Sequence, residues 1–328
     1  MDSSSNTWQQ ALSKAFTDID SLCNYLQLDA KQLNVLEEYR QFPLKVPLEF
    51  AESMTIGDPN DPLLRQVLPL TQELNDQAGF ISDPVGDLNA LTTEGVIHKY
   101  EGRVLLISTG ACAIHCRYCF RRNFPYSELQ LSNSKLQQAI DYIQNQPEIS
   151  EVILSGGDPL LMNDEKLADL INALNKIPQL QRIRIHSRIP VVLPSRITQE
   201  LLSVFSGSRC SVIMVLHCNH PKELSPKVAN ACRQLYESTA SLLNQSVLLR
   251  GINDDALTLQ LLSEKLFNFG ILPYYLHQLD KAKGTGHFEV SDQKAIGLHE
   301  QIKKKLPGYL VPKLVREQSG APYKLNLY

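Results

Sequence analysis

The sequence predicts an α/β chain, a partial (open) parallel β/α barrel preceded by an N-terminal helical arm. Three observations point there. Short apolar runs recur at Arg103 to Ser108, Glu151 to Leu154, Arg182 to His186, Ser211 to Leu216, Ser246 to Leu249, Leu272 to Leu276 and Tyr309 to Val315, each with the length and composition of a buried strand. Helical stretches lie between them. Asp164 to Ile177 brings Leu167, Leu170, Ile171 and Leu174 onto one face, and Lys227 to Leu243 does the same with Val228, Ala231, Cys232, Leu235 and Leu242. Finally, no glycine-rich dinucleotide fingerprint follows any of the runs, which favours a barrel over a doubly wound sheet. Right-handed βα crossovers would then place the reactive groups at the carboxyl ends of the strands.

In chain order, residues 1–95 read as the arm, 96–308 as the barrel and 309–328 as a C-terminal segment. In the arm, Leu12, Phe16, Ile19, Leu22 and Cys23 fall at helical spacing. Asp29 is placed to cap a second helix carrying Leu33, Leu36 and Tyr39. Pro43, Pro47, Pro59, Pro62 and Pro69 cut the rest of the arm into short pieces. No chemistry is legible in the arm. With 328 residues the chain can bury a sizeable core. Its net charge of −3 provides no basic footprint for nucleic acid. No apolar run approaches the ~20 residues of a membrane helix, and Met1-Asp-Ser-Ser-Ser-Asn lacks the features of a signal peptide. The expectation is a cytoplasmic protein with no membrane partner.

The chemistry centres on Thr109-Gly-Ala-Cys112-Ala-Ile-His-Cys116-Arg-Tyr-Cys119-Phe-Arg-Arg122. Three cysteines at this spacing can hold three corners of an iron–sulfur cube and leave the fourth iron open. An open iron can chelate S-adenosylmethionine and pass one electron to its sulfonium, releasing a 5′-deoxyadenosyl radical. The stretch resembles the signature of the radical S-adenosylmethionine enzymes. A structural zinc site would want a fourth ligand. A disulfide framework does not suit seven cysteines without a secretory signal, and Cys23, Cys210, Cys218 and Cys232 read as buried thiols.

Two further features lie near the motif. Ser155-Gly156-Gly157-Asp158 follows the run Val152 to Leu154, and its glycines would let backbone come close to a ligand, here the amino group of S-adenosylmethionine. Arg121 and Arg122 follow the last cysteine. A guanidinium held there could clamp a substrate carboxylate with two parallel hydrogen bonds.

From about His98 to Lys324 the chain resembles the lysine 2,3-aminomutase family. The resemblance is carried by His98-Lys-Tyr-Glu-Gly-Arg-Val-Leu-Leu, the cysteine loop, Ser155-Gly-Gly-Asp-Pro-Leu, Ser187-Arg-Ile-Pro-Val-Val-Leu-Pro-Ser-Arg-Ile-Thr, His217-Cys-Asn-His-Pro, Asn244-Gln-Ser-Val-Leu-Leu-Arg-Gly-Ile-Asn-Asp and Pro273-Tyr-Tyr. Within the family it is most similar to the short bacterial branch linked to β-lysine modification of elongation factor P. The resemblance implies the radical SAM type of barrel, and three cofactors: a 4Fe-4S cluster on Cys112, Cys116 and Cys119, S-adenosylmethionine, and pyridoxal phosphate bound covalently to Lys324. It implies that Lys99, Tyr100, Arg103 and Gln245 surround the pyridoxal phosphate. Lys99 stands where the family has an arginine, so it would meet phosphate as a point charge. Of the glycines the longer members carry before the cofactor lysine, only Gly320 remains.

The same resemblance gives Arg121 the carboxylate of L-lysine, and Asp280 and Glu317 its distal ammonium. A desolvated ammonium needs such opposite charge. Glu317 is one methylene longer than the family's aspartate, and His277, where the longer enzymes carry a tyrosine, receives no role. The implied reaction is a radical 1,2-migration of the amino group, from L-lysine to β-lysine. It implies an electron donor such as flavodoxin or ferredoxin and a functional link to an elongation factor P lysyl-ligase. The longer enzymes continue into a zinc-binding extension, whereas no cysteine follows Cys232 here. No zinc is expected, and either a monomer or a weaker association. Two other readings stay open: an aminomutase for another amino acid, and a non-catalytic metal-binding module.

Overall fold

A computed structural model describes residues 7–36, 42–129 and 133–328. One sheet runs through the molecule in strict chain order: β1 (Leu91–Thr93), β2 (Val96–Tyr100), β3 (Arg103–Thr109), β4 (Glu151–Gly156), β5 (Arg182–Ser187), β6 (Ser211–His217), β7 (Ser241–Val247), β8 (Leu272–His277), β9 (Lys313–Arg316) and β10 (Leu325–Asn326). From β3 to β9 every pairing is parallel. Antiparallel strands finish both edges, β1 and β2 on one side and β10 on the other. Among the described residues the two edges do not pair, so the barrel is open.

A helix crosses over between successive parallel strands: Asn133–Gln144, Asp164–Asn175, Gln199–Ser206, Pro226–Ser238, Ala256–Asn268 and Asp292–Lys303. Alternation within each strand sorts side chains between two faces. In β5, Ile183 and Ile185 are fully buried against the helices, while Arg182, Arg184 and His186 take the opposite face. Leu167, Leu170, Ile171 and Leu174 form the buried stripe of the helix Asp164–Asn175, whose start is fixed by Asn163 accepting from the Lys166 amide.

Several boundaries differ from the sequence expectation: the strand expected from Tyr309 begins at Lys313, after a 3₁₀ turn over Gly308–Leu310. The helix expected over Lys227 to Leu243 ends at Ser238, and the strand expected from Ser246 begins at Ser241. Leu242 continues the helical spacing of Leu235 but is buried from the strand, because Thr239 is extended and turns the chain. In the arm, Asp29 caps only a 3₁₀ turn, Ala30–Gln32. Asn34 then takes a left-handed conformation and Val35 bridges Leu70, so Leu33 and Leu36 are not helical; Tyr39 lies outside the described residues. Within the arm, Ile19, Leu22 and Cys23 do form one buried helical face, from Ile19–Tyr25, and they join the same core as β3 to β6. The stretch 309–328 supplies β9 and β10, so it is continuous with the sheet. Among the described residues no helix is long and apolar enough to cross a membrane.

Candidate active site

The cysteine loop leaves the carboxyl end of β3, and all three of its thiols are half-buried. Burial raises the Cys112 thiol, as do the nearby sulfurs of Cys119 and Cys116, and Cys119 is pushed up to about 11 by burial and by Cys116. Among the described residues no three His, Cys, Asp or Glu side chains converge closely enough for a single ion. The donor set itself, three cysteines on one short loop, is the one an iron–sulfur cube takes, with each thiolate on a separate iron. His115 takes no part, since its Nδ1 lies 2.8 Å from the Pro43 carbonyl.

Gly156 and Gly157, at the carboxyl end of β4, lie against the cysteine loop. Gly157 donates to the Thr109 carbonyl at 2.7 Å, and a Cβ on Gly157 would sit 2.1 Å from the Ala111 carbonyl oxygen. The backbone they let approach is that of the cysteine loop. Gly156, with φ near +122°, adopts a conformation that side chains disfavour. Asp158 is committed to the turn after β5, accepting from the Ser187 hydroxyl at 2.7 Å and from the amides of Arg188 and Ile189. Ser155 remains, its hydroxyl accepting from Arg121 Nη1 at 3.1 Å.

From Ser155 a chain of ionic contacts crosses the mouth of the barrel. Arg121 Nε donates to Asp87 at 2.7 Å, Asp87 pairs with Lys99 at 2.5 Å, Lys99 with Glu317 at 3.1 Å, and Glu317 with Lys324 at 2.5 Å. Residues drawn from β2, the cysteine loop, β4 and the C-terminal segment thus meet in one network. Burial opposes the charge on Glu317, but the Lys324 and Lys99 ammoniums hold its carboxyl far below the usual carboxylate range. Asp280 has the reverse fate: burial and the charge of Glu317 push it up to about 7. Asp280 and Glu317 line one cavity of about 320 Å³, with Ile81, Pro84, Leu279 and Ser319.

Lys324 also lies over the Tyr275 ring, 6.0 Å from its centroid. Gln245 on β7 approaches His186 on β5, Nε2 to Nδ1 3.5 Å, while His186 Nε2 is buried without a partner among the described residues. Burial, reinforced by the charges of Arg184, Lys324 and Arg121, keeps His186 neutral. Arg103 packs over the Tyr100 ring across the β2–β3 pairing. An amine, basic groups from β2 and β3, an aromatic face and an orphaned imidazole nitrogen together fit an anionic aromatic aldehyde such as pyridoxal phosphate.

Sequence reasoning missed three residues of the arm. Asp87 joins Arg121 to Lys99; Glu73 accepts from both Arg117 (2.8 and 2.5 Å) and Arg122 (2.6 Å); Gln66 accepts from Arg188 at 2.7 Å. All three are buried. The one available signal was indirect, that a run of arginines beside a buried cluster must be neutralised somewhere.

Comparison with known proteins agrees with this geometry. Residues 100–187 match a family model described as a 4Fe-4S single cluster domain. An L-lysine 2,3-aminomutase of Haemophilus influenzae is 45% identical over 318 residues, covering 97% of this chain and 94% of that one. One of Escherichia coli is 44% identical, covering 98% and 94%. One of Clostridium subterminale is 35% identical, covering 96% of this chain and 76% of its own length. With identity of this order over 96 to 98% of its length, the chain belongs to the lysine 2,3-aminomutase family of radical S-adenosylmethionine enzymes.

Proposed function

We infer that this enzyme converts L-lysine to β-lysine, moving the amino group from the α- to the β-carbon. The observation that carries the reading is the unbroken chain Ser155–Arg121–Asp87–Lys99–Glu317–Lys324, which ties together the residues expected to meet cosubstrate, substrate and cofactor. When bound, the cluster and S-adenosylmethionine supply a carbon radical, and pyridoxal phosphate supplies a conjugated carrier for the amino group.

The chain's own residues have these proposed roles. Cys112, Cys116 and Cys119 hold the cluster. Ser155, Gly156, Gly157 and Asp158 border the S-adenosylmethionine site, Ser155 with its hydroxyl and the other three by fixing the cysteine loop against β4. Lys324 is the covalent anchor of pyridoxal phosphate. Lys99, Tyr100, Arg103 and Gln245 surround that cofactor, the basic ones at its phosphate. Arg121 presents a rigid fork to the substrate carboxylate. Asp280 and Glu317 receive the distal ammonium, whose arrival would keep both carboxyls ionised. Enclosure in the barrel mouth excludes water from the reacting carbons.

Two extensions rest on the resemblance to the short bacterial branch. One is a flavodoxin or ferredoxin as electron donor. The other is use of the product by a ligase that modifies elongation factor P, in the cytoplasm, a compartment that suits seven free thiols. The test is anaerobic turnover of the reconstituted enzyme on a panel of amino acids, read by product mass and chiral separation. β-Lysine from L-lysine is expected, and an enzyme inert to lysine but active on another amino acid overturns the substrate.

A further inference from the structure

Arg188 stands at the turn after β5 and is 6% exposed. Its Nη1 donates to Cys116 Sγ at 2.6 Å. Its Nη2 donates to Gln66 Oε1 at 2.7 Å and to Glu223 Oε2 at 3.1 Å. The guanidinium also packs over the rings of Phe50 and Tyr118. Glu223 is itself fixed, because its Oε1 accepts from the Asn219 and His220 amides and from Gln66 Nε2, each at 3.0 Å. The arginine is therefore clamped on one side by the arm and by the turn after β6, with its other edge on a cluster sulfur.

We propose that Arg188 is a positioning residue that sets the electron affinity of the cluster, through a charge-assisted hydrogen bond to the Cys116 sulfur. Hydrogen bonds to cluster sulfurs and nearby charge are levers by which a protein tunes reduction potential. A cation beside the sulfur stabilises the reduced cluster, which carries one more negative charge. The other arginines of this region are differently engaged. Arg117 and Arg122 share Glu73, and Arg121 is held by Asp87. The inference rests on the assignment of the cluster to Cys112, Cys116 and Cys119.

The test is a redox titration of the anaerobically reconstituted full chain, following the electron paramagnetic resonance of the reduced cluster after one-electron reduction by dithionite. Arg188→Gln is expected to hold full iron and sulfide yet reduce at a more negative potential, with Arg188→Lys between it and the wild type. A fully loaded Arg188→Gln cluster at the wild-type potential would overturn the proposal. A second measurement needs no variant: in wild-type protein labelled with ¹⁵N-arginine, electron–nuclear double resonance should detect a guanidinium nitrogen coupled to the reduced cluster, and its absence overturns the assignment. A wild-type chain that takes up no iron and sulfide would remove the cluster and this inference together, whereas a loaded wild type with unshifted variants removes only the role of Arg188.

Discussion

At the scale of single residues, the site is governed by carboxylates that share cations. Asp87 serves Lys99 and Arg121 at once, and its burial makes both contacts matter. Asp87→Asn keeps the shape and removes the charge. The guanidinium then loses the partner that aims it, and KM for lysine should rise about tenfold, the equivalent of a charge-assisted hydrogen bond of ~1.5 kcal/mol, with kcat less affected. Steady-state kinetics decide this, and an unchanged KM would mean that Ser155 alone suffices to orient Arg121. Lys324→Ala should abolish covalent retention of pyridoxal phosphate, read by borohydride trapping and mass spectrometry; label still trapped on the chain would place the anchor elsewhere. Asp280 makes a prediction in pH. Its carboxyl titrates near 7 in the folded chain and near 3.8 unfolded, so the folded state binds the extra proton between those values. Its contribution is fully present below about 3.8 and is lost as pH rises through 7. Asp280→Asn should therefore stabilise the cofactor-free protein increasingly as pH rises from about 5 to 8. A difference in melting temperature from wild type that does not grow over that range would refute it.

At the scale of elements, the decisive contact is between the turn after β4 and the cysteine loop. A methyl on Gly157 has nowhere to go, since Ala111 backbone atoms lie 2.1 to 2.8 Å from it. Gly157→Ala should push the loop off β4, so that reconstituted iron and sulfide fall well below wild type while far-ultraviolet circular dichroism stays the same; full loading would show that the loop can yield. This contact also marks what a sequence can reveal. The glycine pair could be seen beside a strand end, but not whether its near neighbour was ligand or protein, because Thr109 and Ala111 come from another strand's loop. The strands were legible where their apolar runs stand alone, as at Val152 to Leu154. They were not where Leu242 kept in step with the helix before it, and there a turn at Thr239 overrode periodicity. The cysteines were readable because one short loop carries all three. Asp87, Glu73 and Gln66 were not, since each lies in a proline-broken stretch without a motif and its partner is far along the chain.

At the scale of the whole molecule, the arm is an electrostatic frame for the barrel mouth. Its buried side chains Gln66, Glu73 and Asp87 each accept from an arginine of the cysteine loop or the turn after β5, so buried polar contacts tie the arm to the cysteine loop. Glu73 is the strongest case. Arg117 is 1% exposed and grips Glu73 Oε1 with Nε and Oε2 with Nη2 while donating Nη1 to the Phe42 carbonyl, and Arg122 adds a second cation at Glu73 Oε2. Burial opposes the charge on Glu73, but the two arginines hold its carboxyl below the usual range. Removing one member of a buried ionic set leaves the others desolvated and unpaired, a cost of about 3–5 kcal/mol. Glu73→Gln should lose stability of that order in denaturant unfolding, and its carboxamide could satisfy only part of the two guanidinium groups. The depressed carboxyl also fixes the sign with pH: its contribution is present above the unfolded value of about 4.5 and is lost as pH falls through the folded one. The gap between wild type and Glu73→Gln should accordingly narrow on acidification below about pH 5. If the arm were only packed apolar surface, the substitution would cost less than about 0.5 kcal/mol at every pH, as surface changes do, and the iron content of the reconstituted variant would match the wild type.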